Sequence, residues 1–288
     1  MQYKKVLNNY WRQGIVATLI LSNIFVWLAV LDRRTDTFMR VYFLDVGQGD
    51  AILIESPNRG RVLVDGGRNR QVLSELDKIL PFADRRIDVL VGTHPDADHV
   101  GGFPEIISRY KVGLFIWPGV KTDKSFDREL WKRLEEKEIP NFIAERGMVI
   151  NFRDGAKLVI LFPNQDVSKW NENDASIVAK LVYGEQSFLL TGDSPVKVEN
   201  ILMNLDEGIL KSDVLKAGHH GSRTSTGISF AEAVSPEYAV ISAGKDNSYG
   251  HPHQEILDIL AKVGAEIVST VEIGTIRFET DGNILRIK

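Results

Sequence analysis

The 288-residue chain has no cysteine and only six histidines. Without thiols, neither a disulfide nor a thiolate metal site can form, so any metal must be held by nitrogen and oxygen. Positive charge is not in excess either. Lys and Arg total 35 against 39 Asp and Glu, a formal net charge of −4, so no chain-wide basic field marks a polyanion partner, and only a local basic rim would serve one. No segment is of low complexity, and no repeat recurs at a solenoid period. With 43% hydrophobic residues the chain is expected to bury one large core behind an N-terminal segment.

That segment carries the one long apolar run. Residues 14–31 read GIVATLILSNIFVWLAVL, 18 residues without a charge, just long enough to cross a hydrocarbon core. Lys4, Lys5 and Arg12 precede the run, and Asp32, Arg33, Arg34 and Asp36 follow it. The positive-inside rule then gives a cytoplasmic basic head (1–13), a single transmembrane anchor (14–31), a linker (32–38) and a domain (39–288) outside the cell membrane. A cleaved signal peptide is the rival reading, but no small-x-small site follows the run. A buried core helix is the third.

From residue 39, alternating and apolar runs bounded by Gly, Pro and Asn predict strands at 39–44, 51–55, 61–64 and 87–91. Helices are expected at 71–80, after Gly101-Gly102 and at 125–137. The second half repeats the rhythm: a hairpin of 176–183 and 187–191, a helix from Pro195 to about 205, strands 213–217 and 238–241, a helix ending near 263, and three short closing strands. Two β-rich halves flanked by helices predict a four-layered α/β-β/α sandwich with a site along one edge of the sheets.

The histidines fall in three stretches, His94-Pro-Asp-Ala-Asp-His99, His219-His220 and His251-Pro-His253. Packing histidines would be scattered. Clustered beside Asp96, Asp98 and Asp193, each group following a predicted strand, they form a pool of imidazole and carboxylate ligands. The turn Gly47-Gln-Gly-Asp50 resembles a phosphate cradle, but no helix follows, so it reads as a turn holding the core, with Asp45 and Asp50 capping turns or supporting the site.

Six ordered segments carry a resemblance: Phe43-Leu-Asp-Val-Gly-Gln-Gly-Asp50, Val64-Asp-Gly-Gly67, Thr93-His-Pro-Asp-Ala-Asp-His-Val-Gly-Gly102, Leu190-Thr-Gly-Asp193, Leu215-Lys-Ala-Gly-His-His-Gly-Ser222 and Tyr249-Gly-His-Pro-His253. They resemble the metallo-β-lactamase superfamily and, more narrowly, the extracellular hydrolase domain of ComEC-type DNA-uptake competence proteins. The resemblance implies an αββα sandwich with two divalent metal ions, Zn2+ or Mn2+. By position, His94 and Asp96 would hold one, Asp98 and His99 the other, and Asp193 would bridge. His219 would complete the second site, with His220 as the alternative. The first site departs from the superfamily: Asp96 replaces the usual middle histidine, and no histidine lies between Val100 and Gly192. Asn173 or Asp174 stands in that interval. The site of Asp98, His99, Asp193 and His219 is therefore the firmer of the two.

Such ions would lower the pKa of a bound water from about 16 to about 7. Asp98 is then expected to orient that water and take its proton, and Asp65 to fix a ligand imidazole. Lys216, His220 and Ser222 are expected to bind a phosphate oxygen or protonate the leaving group. Asn173 is a further candidate for substrate contact, and His251 and His253 line the site unless they merely cap a helix. The aspartate-rich set makes manganese a competitor to zinc. The function implied is a membrane-anchored phosphoester hydrolase acting on DNA. Alternatives are an envelope phosphodiesterase and a non-catalytic binding module with an incomplete metal site. The multi-helix channel domain of competence proteins has no counterpart in these residues, so an uptake role would imply a separate channel protein as partner.

Overall fold

The computed structural model describes residues 2–32 and 37–288, and the chain divides into two compact units, 1–36 and 37–288. The first is one helix, α1 (Gln2–Asp32), which runs through the expected head and anchor without a break. The side chains of residues 2–10, which fall in the expected head, those of 28–32 and most of the linker lie outside the described residues. Among the described residues, no helix is long and apolar enough to cross a membrane.

In the second unit, β1 (Met39–Phe43), β2 (Ile52–Glu55), β3 (Arg61–Val64), β4 (Arg86–Val91), β5 (Lys111–Trp117), β6 (Asn141–Ile143), β14 (Ile276–Thr280) and β15 (Leu285–Ile287) make one sheet, in the order 15-14-1-2-3-4-5-6. The other sheet runs 13-12-11-10-9-8-7, from β13 (Glu266–Ser269), β12 (Tyr238–Ile241), β11 (Val214–Lys216), β10 (Gln186–Leu190), β9 (Val178–Tyr183), β8 (Lys157–Phe162) and β7 (Val149–Asn151).

The central strands of both sheets bury both faces, which is why they read as continuous apolar runs. In β2, Ile52 and Ile54 enter the core between the sheets, where they join Val64, Val91, Leu181, Phe188 and Val240. Leu53, one step out of phase, points to the other face. There it packs with Leu63 and Leu90 against α2 (Gln71–Ile79), α4 (Phe103–Arg109) and α5 (Ser125–Glu136). On the far side, Leu189, Leu215 and Ala239 meet α6 (Val196–Leu210), α7 (Ile228–Val234) and α8 (Gln254–Lys262). Three apolar layers between helix, sheet, sheet and helix give the expected four-layered sandwich. Each buried aliphatic side chain contributes about 1.5–3 kcal/mol.

Pairs β3–β4, β10–β11 and β11–β12 are parallel, so their carboxyl ends share an edge. Asp65, the 92–99 loop, Asp193 and the 217–222 turn all leave from those ends, the usual place for chemistry in such sheets. Two glycines allow the loops to converge. A Cβ on Gly49 (φ +132°) would stand 2.2 Å from the Asp98 carbonyl oxygen, and one on Gly221 (φ +83°) 2.7 Å from the Pro252 Cβ. The Gly47–Asp50 turn thus props up the metal-type loop, as its reading as a turn implied. β5, β6, β7, β8 and α7 were not expected. Gly113 interrupts the pattern of β5, and β6 and β7 are three-residue strands with partly exposed faces.

Candidate metal centre

The loop after β4 turns into a short helix, α3 (Ala97–Val100), which brings His94 and His99 side by side, ring centroids 4.1 Å apart. The Ala217–Ser222 turn adds His220, 5.2 Å from His99. Both His219 (φ 49°) and His220 (φ 56°) take left-handed backbone, a sparsely populated conformation for such residues. It is held by His219 N donating to Gly192 O (3.2 Å), Ser222 N to His219 O (2.9 Å) and Gly218 N to Thr226 Oγ1 (2.9 Å). Strain of this kind gathers at functional sites.

Each buried imidazole has its Nδ1 hydrogen committed. His220 Nδ1 is 2.9 Å from the Ser242 carbonyl, which can only accept. His99 Nδ1 is 2.7 Å from Asp65 Oδ2. Thr93 Oγ1 donates its one hydrogen to Asp65 Oδ2 (2.7 Å), so towards His94 Nδ1 (3.1 Å) it must accept. In the neutral rings all three Nε2 atoms are therefore bare lone pairs. None has a hydrogen-bond partner.

All three face Asp193. Its Oδ2 lies 3.3 Å from His99 Nε2, 3.5 Å from His220 Nε2 and 3.9 Å from His94 Nε2. Asp98 Oδ2 is 3.7 Å from His220 Nε2, and Asp96 Oδ2 is 3.6 Å from His94 Nε2. Donors around a tetrahedral ion with bonds of about 2.1 Å stand about 3.4 Å apart, so these spacings suit shared cations. His94, His99 and Asp193 form one compact donor group, and Asp98, His99 and His220 another. Electrostatics agree. Burial alone would lower the pKa of His99, yet Asp193 and Asp65 outweigh it and hold it well above its usual value. Burial would raise Asp193, but His220, His99 and His94 hold it well below. The pocket demands positive charge.

The structure redistributes several expected roles. His220, not His219, is the fully buried histidine in the donor groups. His219 keeps its side chain 26% exposed, with Nε2 3.5 Å from Asp193 and Nδ1 2.9 Å from Thr224 Oγ1. The backbone turn sends His220, the alternative ligand, inward and leaves His219 at the opening, each with Nε2 3.5 Å from Asp193 Oδ2. Lys216, expected to touch substrate, is wholly buried, its ammonium on Asp50 and on the Gly192 carbonyl (3.1 Å). It lies beneath the site, away from any phosphate. Ser222 is likewise withdrawn: it is buried, and its Oγ accepts from Thr224 Oγ1 (3.1 Å) and Thr224 N (3.4 Å). Asp65 accepts from His99 and from Thr93. Asp98 is half-buried at the mouth.

His251 does reach the site, its ring 5.6 Å from His219 and 6.3 Å from His220, stacked at 5.6 Å on Tyr249. Burial, then His219, His220 and His253, push its pKa down to about 4 against the pull of Asp193, so it is a neutral imidazole at pH 7 rather than a ready acid. His253 stands 5.0 Å from His251, at the N-cap of α8 without a side-chain cap bond. Asn173 opens a 3-10 turn, Asn173–Ala175, whose continuation meets the ligand loop through Ile177 N to Thr93 O (2.9 Å). Sequence reasoning missed Lys124, whose ammonium holds Asp96 Oδ1 at 2.7 Å. It lies 28 residues from Asp96, outside every motif.

A model of the metallo-beta-lactamase superfamily matches residues 44–245. ComE operon protein 3 of Bacillus subtilis is 33% identical over 96% of this chain and 37% of its own length. Competence protein ComA of Neisseria gonorrhoeae is 32% identical over 81% of this chain and 31% of its own. Recombination protein 2 of Haemophilus influenzae is 32% identical over 92% and 31%. The chain thus spans about a third of the length of these curated relatives. Among solved structures, the metallo-beta-lactamase fold protein YhfI of Bacillus subtilis covers 84% of this chain and 99% of its own at TM-score 0.56 and 12% identity. Igni18, a metallo hydrolase of Ignicoccus hospitalis, has the same coverage at 0.53 and 18%. These two show the fold. The chain belongs to the metallo-β-lactamase superfamily, and these three curated relatives are ComEC-type competence proteins.

Proposed function

We propose that the chain is a metal-dependent hydrolase of phosphoester bonds, a ComEC-like nuclease acting on DNA outside the cytoplasmic membrane and held there by a single N-terminal anchor. One observation carries the reading: three buried imidazole Nε2 atoms, held towards Asp193 by the partners of their Nδ1 atoms, have no hydrogen-bond partner of their own. Such an arrangement is costly unless a cation occupies it. His94, His99, His220, Asp98 and Asp193 would hold the ions, with Asp96 on the His94 side. When bound, Zn2+ or Mn2+ would supply a water of pKa about 7 and polarise the phosphoryl group.

The chain's own groups do the rest. Asp98, at the mouth beside His220, is placed to orient the attacking water and accept its proton. His219 and the neutral His251 line the open side, where they meet the phosphate oxygens. Asp65 and Thr93 keep the ligand rings from turning.

DNA as substrate is supported by relatives named for competence and recombination. The anchor is supported by α1, where every described side chain from 11 to 27 is exposed, among them Leu19, Leu21, Phe25 and Trp27. A water-exposed surface of that kind calls for lipid or a partner. The test is the full chain in detergent, stripped of metal, resupplied with Mn2+ or Zn2+ and offered single-stranded DNA beside bis(p-nitrophenyl) phosphate. DNA cleavage that needs both metal and Asp193 is expected, and Asp193→Ala abolishes it. Turnover of the small diester alone would replace the nuclease with an envelope phosphodiesterase.

A further inference from the structure

Among the described residues, Lys124, just ahead of α5, is the lysine that pairs with a carboxylate of the ligand loop itself. Its ammonium is 2.7 Å from Asp96 Oδ1 and 2.5 Å from Glu172 Oε2, while the other oxygen of Asp96 is turned to the bare His94 Nε2. The second ammonium nearby differs in kind. Lys216 is sealed against Asp50 and stands 3.8 Å from Asp193, a fixed part of the floor. Lys124 has a side chain 43% exposed and two carboxylates between which to choose.

We infer that Lys124 is a tethered counter-cation of the first metal site. Resting on the proposed reading of the centre, it makes the resting protein a one-ion protein. A divalent ion bound by His94 and Asp96 would share one carboxylate with an ammonium, and like charges on one group weaken each other. Among the described residues, the Asp98–His99–His220 side carries no such ammonium on Asp98, and it fills first. The second ion enters when Lys124 withdraws to Glu172, which already holds it. Glu172 is therefore the alternative seat of the ammonium, and the 3-10 turn Asn173–Ala175 that begins just after it is a positioning element for metal loading.

The experiment counts bound Mn2+ by equilibrium dialysis of the metal-free full chain in detergent, fitting two dissociation constants. The wild type is expected to bind one ion and then a second at least tenfold more weakly. Lys124→Gln should tighten the second constant tenfold or more and move the first by less than threefold. Lys124→Arg should bind like the wild type, as should Lys197→Gln, which removes a charge paired with Asp174 (2.8 Å) on the same turn. Glu172→Gln should weaken the second ion, and this effect should vanish in the Lys124→Gln background, a coupling that loss of a distant negative charge would not produce. A second constant unchanged or weakened in Lys124→Gln, with two ions still bound, overturns the inference and leaves the centre standing. Equal tightening of both constants also overturns it, because it would reveal a general field. A wild type that takes up no ion overturns the centre and the inference together.

Discussion

Asp65 offers the sharpest test of how the ligand rings are held. Its carboxylate accepts three hydrogen bonds, from Thr93 N (2.8 Å) at Oδ1 and from Thr93 Oγ1 and His99 Nδ1 (2.7 Å each) at Oδ2. Asp65→Asn keeps the shape but supplies one acceptor oxygen, so a buried donor must face the new NH2, at a cost of about 1–3 kcal/mol. The charge that fixes the His99 tautomer is also lost. Removing such a partner weakens metal binding about 10–100-fold, or about 1.4–2.7 kcal/mol. Thermal unfolding of the full chain with and without metal reads this directly. At an ion concentration 100 times the wild-type Kd, the wild type gains about 2.7 kcal/mol, and a variant binding 100-fold more weakly gains about 0.4. For a domain of this size 1 kcal/mol is roughly 2–4 °C, so the metal-induced shift should fall from roughly 5–11 °C to roughly 1–2 °C. Comparing each variant with its own metal-free form removes the general destabilisation. An Asn variant with the wild-type metal-induced shift would refute the claim that Asp65 prepares His99 as a ligand.

Four further outcomes are expected. Because His99 is held well above its usual value, a proton competes with metal above pH 6.5, and affinity should rise with pH by up to tenfold per unit; calorimetry in buffers of different ionisation heat should show about one proton released per ion, and no release would count against it. The same raised pKa stabilises the metal-free fold fully below pH 6.5 and is lost as pH climbs through the folded value, so the metal-free protein should soften in alkali where the loaded one does not. His251, pushed down to about 4, has the opposite sign: stability is lost as pH falls from 6.5 towards 4, and His251→Gln should flatten the denaturation midpoint over that window. Gly49→Ala places a Cβ 2.2 Å from the Asp98 carbonyl at a φ that disfavours side chains, so metal uptake should fall at least tenfold while Gly155→Ala, with open space around its Cβ, leaves it unchanged.

How much of this was legible in the chain depends on whether the signal was local. Strands such as Ile52–Glu55 and Arg61–Val64 announce themselves because both faces are buried, and the sandwich follows from their alternation with helices. The ligand pool is equally plain, since every histidine lies past a strand end. Which ring points where is not. His219 and His220 are chemically identical neighbours, both with Nε2 3.5 Å from Asp193 Oδ2, and only the left-handed backbone at both, fixed by bonds to Gly192 and Thr226 from elsewhere in the chain, buries one and leaves the other at the opening. Lys216 looks like a phosphate-binding lysine until Asp50, 166 positions away, is found against it. Lys124 carries no motif at all, because pairing with Asp96 and Glu172 is a fact of three dimensions. A strand end can be read from residues in sequence, but the partner that gives a charge its setting comes from elsewhere in the chain, as Asp50 does for Lys216 and as Asp96 and Glu172 do for Lys124.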